Sequence, residues 1–113
     1  MQIEGPAKRV TVFIGESDRW HHKPLHTALV EMLREQGCAG ATVTTGIEGF
    51  GADSRIHTAS ILRLSEDLPV ILTFIDTAER VESVLPKIDK MVGGGLVTVE
   101  DVHVRRYSSS GAD

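Results

Sequence analysis

The chain of 113 residues has little of several features that define common protein classes. It contains a single cysteine, Cys38, which excludes an internal disulfide and is typical of a reducing compartment. Its apolar runs all fall well short of the about eighteen residues needed to span a bilayer. The first residues also lack the basic-then-apolar order of a secretion signal. We therefore expect a cytoplasmic protein with no direct membrane insertion.

Positive charge is scarce as well. The 12 Lys and Arg residues face 16 Asp and Glu residues, which gives a net charge of −4 and argues against a nucleic-acid partner. Apolar residues make up 41% of the chain, which at this length is enough for one globular domain with its own core. We assign residues 1–107 to that single domain and residues 108–113 to a disordered tail.

Motifs for catalysis are missing from the sequence. The sequence contains no recognisable set of a nucleophile, a base and an orienting group. The glycine-rich turn Gly93–Gly95 lacks the lysine and hydroxyl of a P-loop. Cys38 follows Gly37 at the expected end of a helix, where the helix dipole raises the pKa of a thiol. The sequence therefore predicts that the protein is not an enzyme and that Cys38 is an inert packing residue.

The first half of the chain has the pattern of a strand–helix–strand unit. Residues 9–16, RVTVFIGE, alternate between two faces as a half-buried strand does. Pro24 suits the first turn of the following helix, and Gly37 suits its C-terminal cap. Residues 39–47, AGATVTTGI, then form a second strand.

The same order recurs in the second half. Residues 69–76, PVILTFID, are almost all apolar, which predicts a strand buried on both faces. Thr77 is the expected N-cap of a helix over Ala78–Val92. Pro86 lies inside that helix and is expected to kink or break it near Val84–Leu85.

The two units together predict an α+β fold. The final strand, residues 96–107, changes the parity of its apolar positions at Glu100–Asp101, which predicts a bulge or bend there. Two βαβ units packed side by side give a ferredoxin-like βαββαβ sandwich, a four-stranded antiparallel sheet with two helices on one face. The other face is half apolar, so we expect either a homo-oligomer or, as the alternative, the chain's own arm or tail to bury it. The candidates for this bare face include the following residues or, as the alternative, their neighbours of opposite parity: Thr11, Phe13, Thr42, Thr44, Ile71, Thr73 and Ile75.

A long arm, residues 46–69, separates the second and third strands. Connections between strands usually take about two to six residues, so a segment of this length indicates a function. The arm is too apolar for a free linker, which predicts partial order and a role in recognising a partner. The positions expected to contact that partner are Arg55, His57, Ile61 and Arg63.

These features resemble the PII nitrogen-signalling proteins, and more closely the PII-like family DUF190. The resemblance covers residues 8–107, and three segments carry it: ESDRWHHKPLHTALVEMLREQGCAGATV, GIEGFGADSRIHTASILRLSEDLPVIL and VTVEDVHV. It implies a homotrimer whose sheets face inward. It also implies that the arm is a T-loop that contacts an unidentified protein target, either a membrane transporter or an enzyme.

The resemblance also implies that a small effector binds in clefts between subunits. Glycines let a backbone N–H approach a phosphate, and arginines supply charge-assisted hydrogen bonds. Three positions differ from the PII pattern: Asp53 replaces a glutamine, and Val70 and Leu96 replace lysines. The lost cations and added carboxylate favour a nucleoside monophosphate or another small anion over ATP, and an empty cleft is the alternative. The matching positions are Gly49, Phe50, Gly51, Gly93, Gly94, Gly95, Arg105 and Arg106.

The loop of residues 16–26, ESDRWHHKPLH, supports an alternative function. Its side chains are of types that bind divalent metals, and a metal-binding trimer resembling the CutA proteins would use Asp18, His21, His22 and His26. An ordinary solvated loop has the same composition. The family resemblance suggests that this loop lies near the inter-subunit cleft, where Trp20 either covers a ligand or packs. A structural adaptor that binds no small molecule is a third possibility.

Overall fold

The computed structural model describes residues 2–51, 57–58 and 67–109, with only the backbone described at 57 and 58. In chain order the elements are β1 (Gln2–Gly15), β2 (Arg19–Trp20), β3 (Lys23–Pro24), α1 (Leu25–Glu35), β4 (Thr42–Thr45), β5 (Glu48–Gly49), β6 (His57–Thr58), β7 (Pro69–Asp76), α2 (Ala78–Met91) and β8 (Leu96–Ser108). The main sheet is antiparallel with the strand order β4-β7-β1-β8. This order, with both helices on one face, confirms the predicted ferredoxin-like α+β fold.

The core lies between the two helices and one face of the sheet. Alternate residues of β1 and β7 point into it, as the period-two pattern predicted. The prediction that the strand at 69–76 is buried on both faces is wrong for the single chain, because both helices cover the same side. The buried side chains of the sheet are Val10, Val12, Ile14, Val70, Leu72 and Phe74, and those of the helices are Leu25, Leu29, Leu33, Val81, Val84 and Ile88.

The ends of the helices follow local sequence signals. Pro24 occupies the N-cap of α1, one residue before the helical turn in which it was expected. Gly37 follows the helix with φ of +85°, which is the left-handed conformation of a C-terminal cap. The Thr77 hydroxyl accepts a hydrogen bond from the Arg80 N–H at 3.2 Å, which confirms Thr77 as the N-cap of α2.

Pro86 lies inside α2 without ending it. The helix runs without interruption from Ala78 to Met91, so of the two outcomes expected near Val84–Leu85, a kink or a break, the break does not occur. Proline removes the hydrogen bond to the carbonyl of Glu82, four residues earlier. Both residues are exposed, so water can solvate that carbonyl, and the apolar face of the helix keeps its packing on the sheet.

β1 and β8 are longer than predicted and continue past the sheet as a two-stranded ribbon. β7 ends at Asp76, opposite Lys8, so the residues before Lys8 pair only with β8. The register is continuous through Glu100–Asp101, and the bulge predicted there is wrong. The irregularity instead lies between Ile3 and Gly5.

The change of apolar parity in these strands has a different cause. Within the sheet, β1 buries Val10 and Val12, whereas in the ribbon it buries Ile3 and Ala7, which have the opposite parity. Strand twist accumulates along β1, so the ribbon turns its other face towards the rest of the protein. A change of buried face therefore produces the pattern that a bulge would produce.

The turn between α1 and β4 is held by three long-range hydrogen bonds. The Asp76 carboxylate, only 3% exposed, accepts the Ala39 N–H at 2.8 Å. Arg80 donates to the carbonyl of Gln36 at 2.7 Å, and the Tyr107 hydroxyl donates to the carbonyl of Ala39 at 2.8 Å. This turn therefore connects both helices, the sheet and the ribbon.

Cys38 lies in the same turn and is partly buried. Burial raises the pKa of its thiol, the Asp76 carboxylate raises it further, and Arg80 opposes both effects. The direction agrees with the sequence-based expectation, although burial rather than the helix dipole is the leading cause. The thiol is therefore protonated at neutral pH and a poor nucleophile.

β8 continues to Ser108, one residue into the segment predicted as a tail. Residues 110–113 lie outside the described residues. Within the described parts of the chain, neither helix is long and apolar enough to cross a bilayer.

Candidate functional site

The face of the sheet opposite the helices is accessible in the single chain. All seven positions predicted for this open face are half-buried or exposed. Phe13 and Ile75 are each 38% exposed, and Leu96, which pairs with Phe13, is 54% exposed. The open face therefore presents apolar side chains among threonines, which is a surface suited to contact with another protein chain.

The base of the arm is fixed to the end of the sheet where β1 stops and β7 starts. The Gly46 N–H donates to the carbonyl of Pro69 at 2.7 Å, and the Glu16 N–H donates to the carbonyl of Leu68 at 2.8 Å. A Cβ atom on Gly46 would lie 2.8 Å from Cγ of Pro69, which is too close for any other residue type without movement. The two ends of the arm are therefore held together by main-chain contacts.

The glycine-rich turn lies at the same end of the sheet. Gly95 has φ of +149°, and a Cβ atom there would lie 2.6 Å from the carbonyl oxygen of Phe13. Glycine is required at this position because the backbone of the turn crosses directly over β1. The pairs Phe13–Leu96 and Gly15–Pro69 place the turn and the arm base close together.

Arg105 and Arg106 lie at the other end of β8. From Leu96 to Arg105 the strand spans about 30 Å, since each residue of a strand advances about 3.3 Å. Both arginines are exposed, and neither has a hydrogen bond or ion pair in the part of the chain that the structure describes. One chain therefore does not bring the arginines to the glycines, and a site that contains both needs two chains.

The arm base is acidic. The Ser17 N–H donates to Oδ1 of Asp67 at 2.6 Å, and the Gly15 N–H donates to Oδ2 of Asp18 at 3.0 Å. Two main-chain donors that could face an anion are thus occupied by carboxylates. Glu48 adds an exposed carboxylate on β5. These carboxylates disfavour a phosphate at this end unless cations offset their charge.

The remaining predicted positions lie partly within and partly outside the described residues. Gly49 pairs with His57 in the short β5–β6 ribbon, and Phe50 and Gly51 are exposed beside it. Val70 is buried on the helix side of the sheet, so its side chain faces the core. The remaining predicted arm contacts and the substituted glutamine position lie outside the described residues: Arg55, Ile61, Arg63 and Asp53.

The loop between β1 and α1 folds as a tight hairpin of β2 and β3. Its two turn residues, His21 and His22, have φ of 47° and 73°. Left-handed backbone in such residues costs on the order of 1 kcal/mol each. The guanidinium of Arg19 donates to the carbonyl of His22 at 3.1 Å, and the His21 ring stacks on Trp20 with centroids 4.2 Å apart. These contacts hold the strained turn and fix the indole.

The structure does not bring the four candidate metal ligands together. The Asp18 carboxylate accepts a main-chain N–H of β1, and His21 and His22 are exposed in the hairpin turn. His26 lies in α1. Among the described residues, no three His, Cys, Asp or Glu side chains are grouped so that they could hold a metal ion. The described residues of one chain therefore do not assemble the alternative metal site that the sequence suggested.

Trp20 lies on the helix layer and not beside the open face. It packs against the core and borders a groove of about 410 Å³ between the hairpin and the two helices. The other lining residues are Met32, Pro86, Lys87, Lys90 and Met91. The sequence offered no pattern that places Trp20 beside the second half of α2.

Comparison with known sequences identifies the family. Residues 7–104 match the DUF190 family, described as Uncharacterized ACR. A UPF0166 protein of Methanocaldococcus jannaschii is 33% identical over 99 residues, which cover 87% of this chain and 91% of that protein. A UPF0166 protein of Aquifex aeolicus is 35% identical over 97 residues, which cover 86% of this chain and 91% of that protein.

Solved structures share the fold at low sequence identity. CPII, a nitrogen regulatory PII-like protein from Thiomonas intermedia bound to ADP, AMP and bicarbonate, has a TM-score of 0.66 at 17% identity, and the match covers 92% of this chain and 91% of that one. A putative PII-like signalling protein from Thermus thermophilus has a TM-score of 0.64 at 23% identity, covering 89% and 91%. CutA from Synechococcus elongatus has a TM-score of 0.59 at 11% identity, covering 96% and 86%.

The family match and the structural likeness agree. The matched segment contains the sheet, both helices and the anchored ends of the arm. The resemblance drawn from the sequence motifs is confirmed. The chain is a member of the DUF190 family, and it has the ferredoxin-like fold that PII-like proteins share.

Proposed function

We propose that the protein is a PII-like regulatory protein that binds a small anionic effector in clefts between the subunits of a homotrimer. One observation carries this proposal. The glycines at the arm base and the arginines of β8 lie at opposite ends of the sheet, about 30 Å apart. The two groups come together only in an assembly. There, the arginine end of one chain meets the glycine end of the next.

The geometry of such contacts favours a closed ring. Each chain offers its glycine end to one neighbour and its arginine end to the other, so the contact is heterologous and must close by rotation. The open face supplies the apolar surface that the assembly buries, through Phe13, Ile75 and Leu96. Three copies with their sheets facing inward are the assembly that the PII resemblance implies.

A ligand of modest negative charge suits the proposed cleft. The arm base contributes carboxylates, Asp18 and Asp67, and the cations are Arg105 and Arg106 of the partner subunit. Two arginines can neutralise one phosphate by paired hydrogen bonds, whereas a triphosphate would also face the carboxylates. The CPII protein bound to ADP and AMP supports an adenine nucleotide as the effector class.

The proposed output is regulatory and not catalytic. An effector in the cleft touches the Gly46–Gly51 end of the arm, and the hydrogen bond from the Gly46 N–H to the Pro69 carbonyl links this end to the other end of the arm. Occupancy changes which surface the arm, residues 46–69, offers to a target protein.

Calorimetry of the trimer with AMP, ADP, ATP and bicarbonate tests this function. We expect saturable binding of AMP, and we expect Arg105→Ala to weaken it about 10- to 100-fold, since a hydrogen bond to a charged group contributes about 1.5–3 kcal/mol. Arg34→Ala is the matched control, because it removes an exposed arginine from α1. Its affinity for AMP should stay unchanged. Absence of binding to all four ligands would favour a ligand-free adaptor and contradict the proposal.

A further inference from the structure

We propose that the groove on the helix layer is a docking site for an acidic amphipathic segment of a partner protein. The groove lies between the β2–β3 hairpin and the helices, and it measures about 410 Å³. Its described lining shares no residue with the proposed cleft or with the arm. The residues that line it are Trp20, Met32, Pro86, Lys87, Lys90 and Met91.

The floor of the groove has the composition of an interface. Trp20, Met32 and Met91 are partly buried and pack against the core, so their accessible parts are held in place from below. Aromatic residues and methionine are enriched in the centres of protein interfaces, and tryptophan is among the residues that most often dominate binding energy there. Methionine side chains adapt to the shape of a partner.

The hairpin presents Trp20 in a fixed position. His21 and His22 hold consecutive left-handed conformations that glycine or asparagine would adopt with less strain. The hairpin is also fastened to α1, because Lys23 forms an ion pair with Glu31 at 2.7 Å. Backbone strain that the surrounding contacts maintain points to a function, and here its result is an indole fixed at the edge of the groove.

The positive charge at the rim of the groove favours an acidic partner. Lys87 and Lys90 are exposed, stand three residues apart on α2 and so face the same side of it. In the described parts of the chain neither lysine has an ion pair or hydrogen bond, whereas Lys8 and Lys23 both have carboxylate partners. Among the residues that the structure describes, the lining contains no carboxylate. Two unpaired cations beside an apolar floor complement a segment that carries both acidic and apolar side chains.

The shape of the groove favours a protein segment over a small molecule. Small-ligand sites bury about 70–90% of the ligand surface in an enclosed cavity. This groove is partly open to solvent and not an enclosed cavity, which suits apolar side chains projecting from a helix or strand. Because it lies on the layer opposite the open face, it stays accessible when the open face is buried between subunits.

Selection of random twelve-residue peptides on phage, with the full chain as bait, tests this inference. Counter-selection uses the Lys87→Glu and Lys90→Glu variants. We expect the enriched peptides to combine large apolar residues with an excess of Asp and Glu. Synthetic copies should shift the fluorescence of Trp20, the single tryptophan of the chain. Their affinity should fall about tenfold for each lysine reversed, because a repulsive charge replaces an attractive one.

Arg34→Glu provides the matched control, since it reverses an exposed cation on the other helix, away from the groove. That variant should bind the peptides as the unaltered protein does. Enrichment without acidic residues, equal binding by the lysine variants, or no enrichment at all would overturn the inference. A Trp20 shift caused by AMP alone and lost in Lys90→Glu would identify a small-molecule site instead. None of these results depends on Arg105, so they are independent of the nucleotide test.

Discussion

Asp76→Ala is expected to lower the free energy of unfolding by about 3 kcal/mol, because a buried carboxylate here satisfies two main-chain donors. Asp76 accepts the Ala39 N–H and the Thr77 N–H, each at 2.8 Å. Its removal leaves both donors unpaired and loosens the turn that also receives Arg80 and Tyr107. Urea denaturation at fixed protein concentration measures the change, and the midpoint should fall while the m-value stays constant.

Two further variants make this result specific. Asp89→Ala removes an exposed carboxylate from α2 and should change stability by no more than about 0.5 kcal/mol. Asp76→Asn keeps one acceptor oxygen in place and should give an intermediate loss. If Asp76→Ala were as stable as Asp89→Ala, the turn between α1 and β4 would not depend on this carboxylate.

Phe13→Asp is expected to convert the assembly into folded monomers. Phe13 lies on the open face with Leu96 and Ile71 opposite it on neighbouring strands, so a charge there would be buried without a partner on association. In the monomer the same side chain is 38% exposed and can be hydrated. Sedimentation velocity should show the loss of mass, while circular dichroism should show the secondary structure retained. Phe13→Leu keeps the surface apolar and should stay assembled.

Ligand binding by the same variant provides a second readout. Phe13→Asp leaves Arg105 and the arm-base glycines intact, yet it should lose AMP binding because the two groups no longer meet. Retained binding by a monomer would show that the cleft is not shared between chains. This outcome would contradict the proposed site even if the trimer itself were confirmed.

The elements of this fold were predictable where the signals are local. Three signals determine the structure within a few residues of their own position: the alternation along β1, the glycine after α1 and the hydroxyl of Thr77. The ribbon at the start of β1 was missed because Gly5–Pro6 interrupts the strand pattern, although β8 pairs with it across the whole length. The β2–β3 hairpin was missed because its turn uses His21–His22 in place of the glycine and asparagine that mark such turns.

The candidate site was harder to predict than the fold. The residues were identified from motifs, but a motif does not show that β8 carries Arg105 away from the glycine-rich turn. Which chain supplies each half of a cleft is a property of the assembly. The sequence also did not predict that Val70 is buried or that the histidines of the 16–26 loop lie apart, because the burial and orientation of a side chain depend on long-range packing. The unpaired lysines beside Trp20 have no sequence signal, since the groove joins residues about seventy positions apart.

In the proposed assembly, the open face joins three copies of the chain and thereby creates the cleft. Sedimentation equilibrium of the purified protein at micromolar concentration measures the mass of this assembly. We expect a single species with three times the chain mass of 12.3 kDa. A folded species that keeps the mass of one chain at that concentration would contradict the proposed assembly.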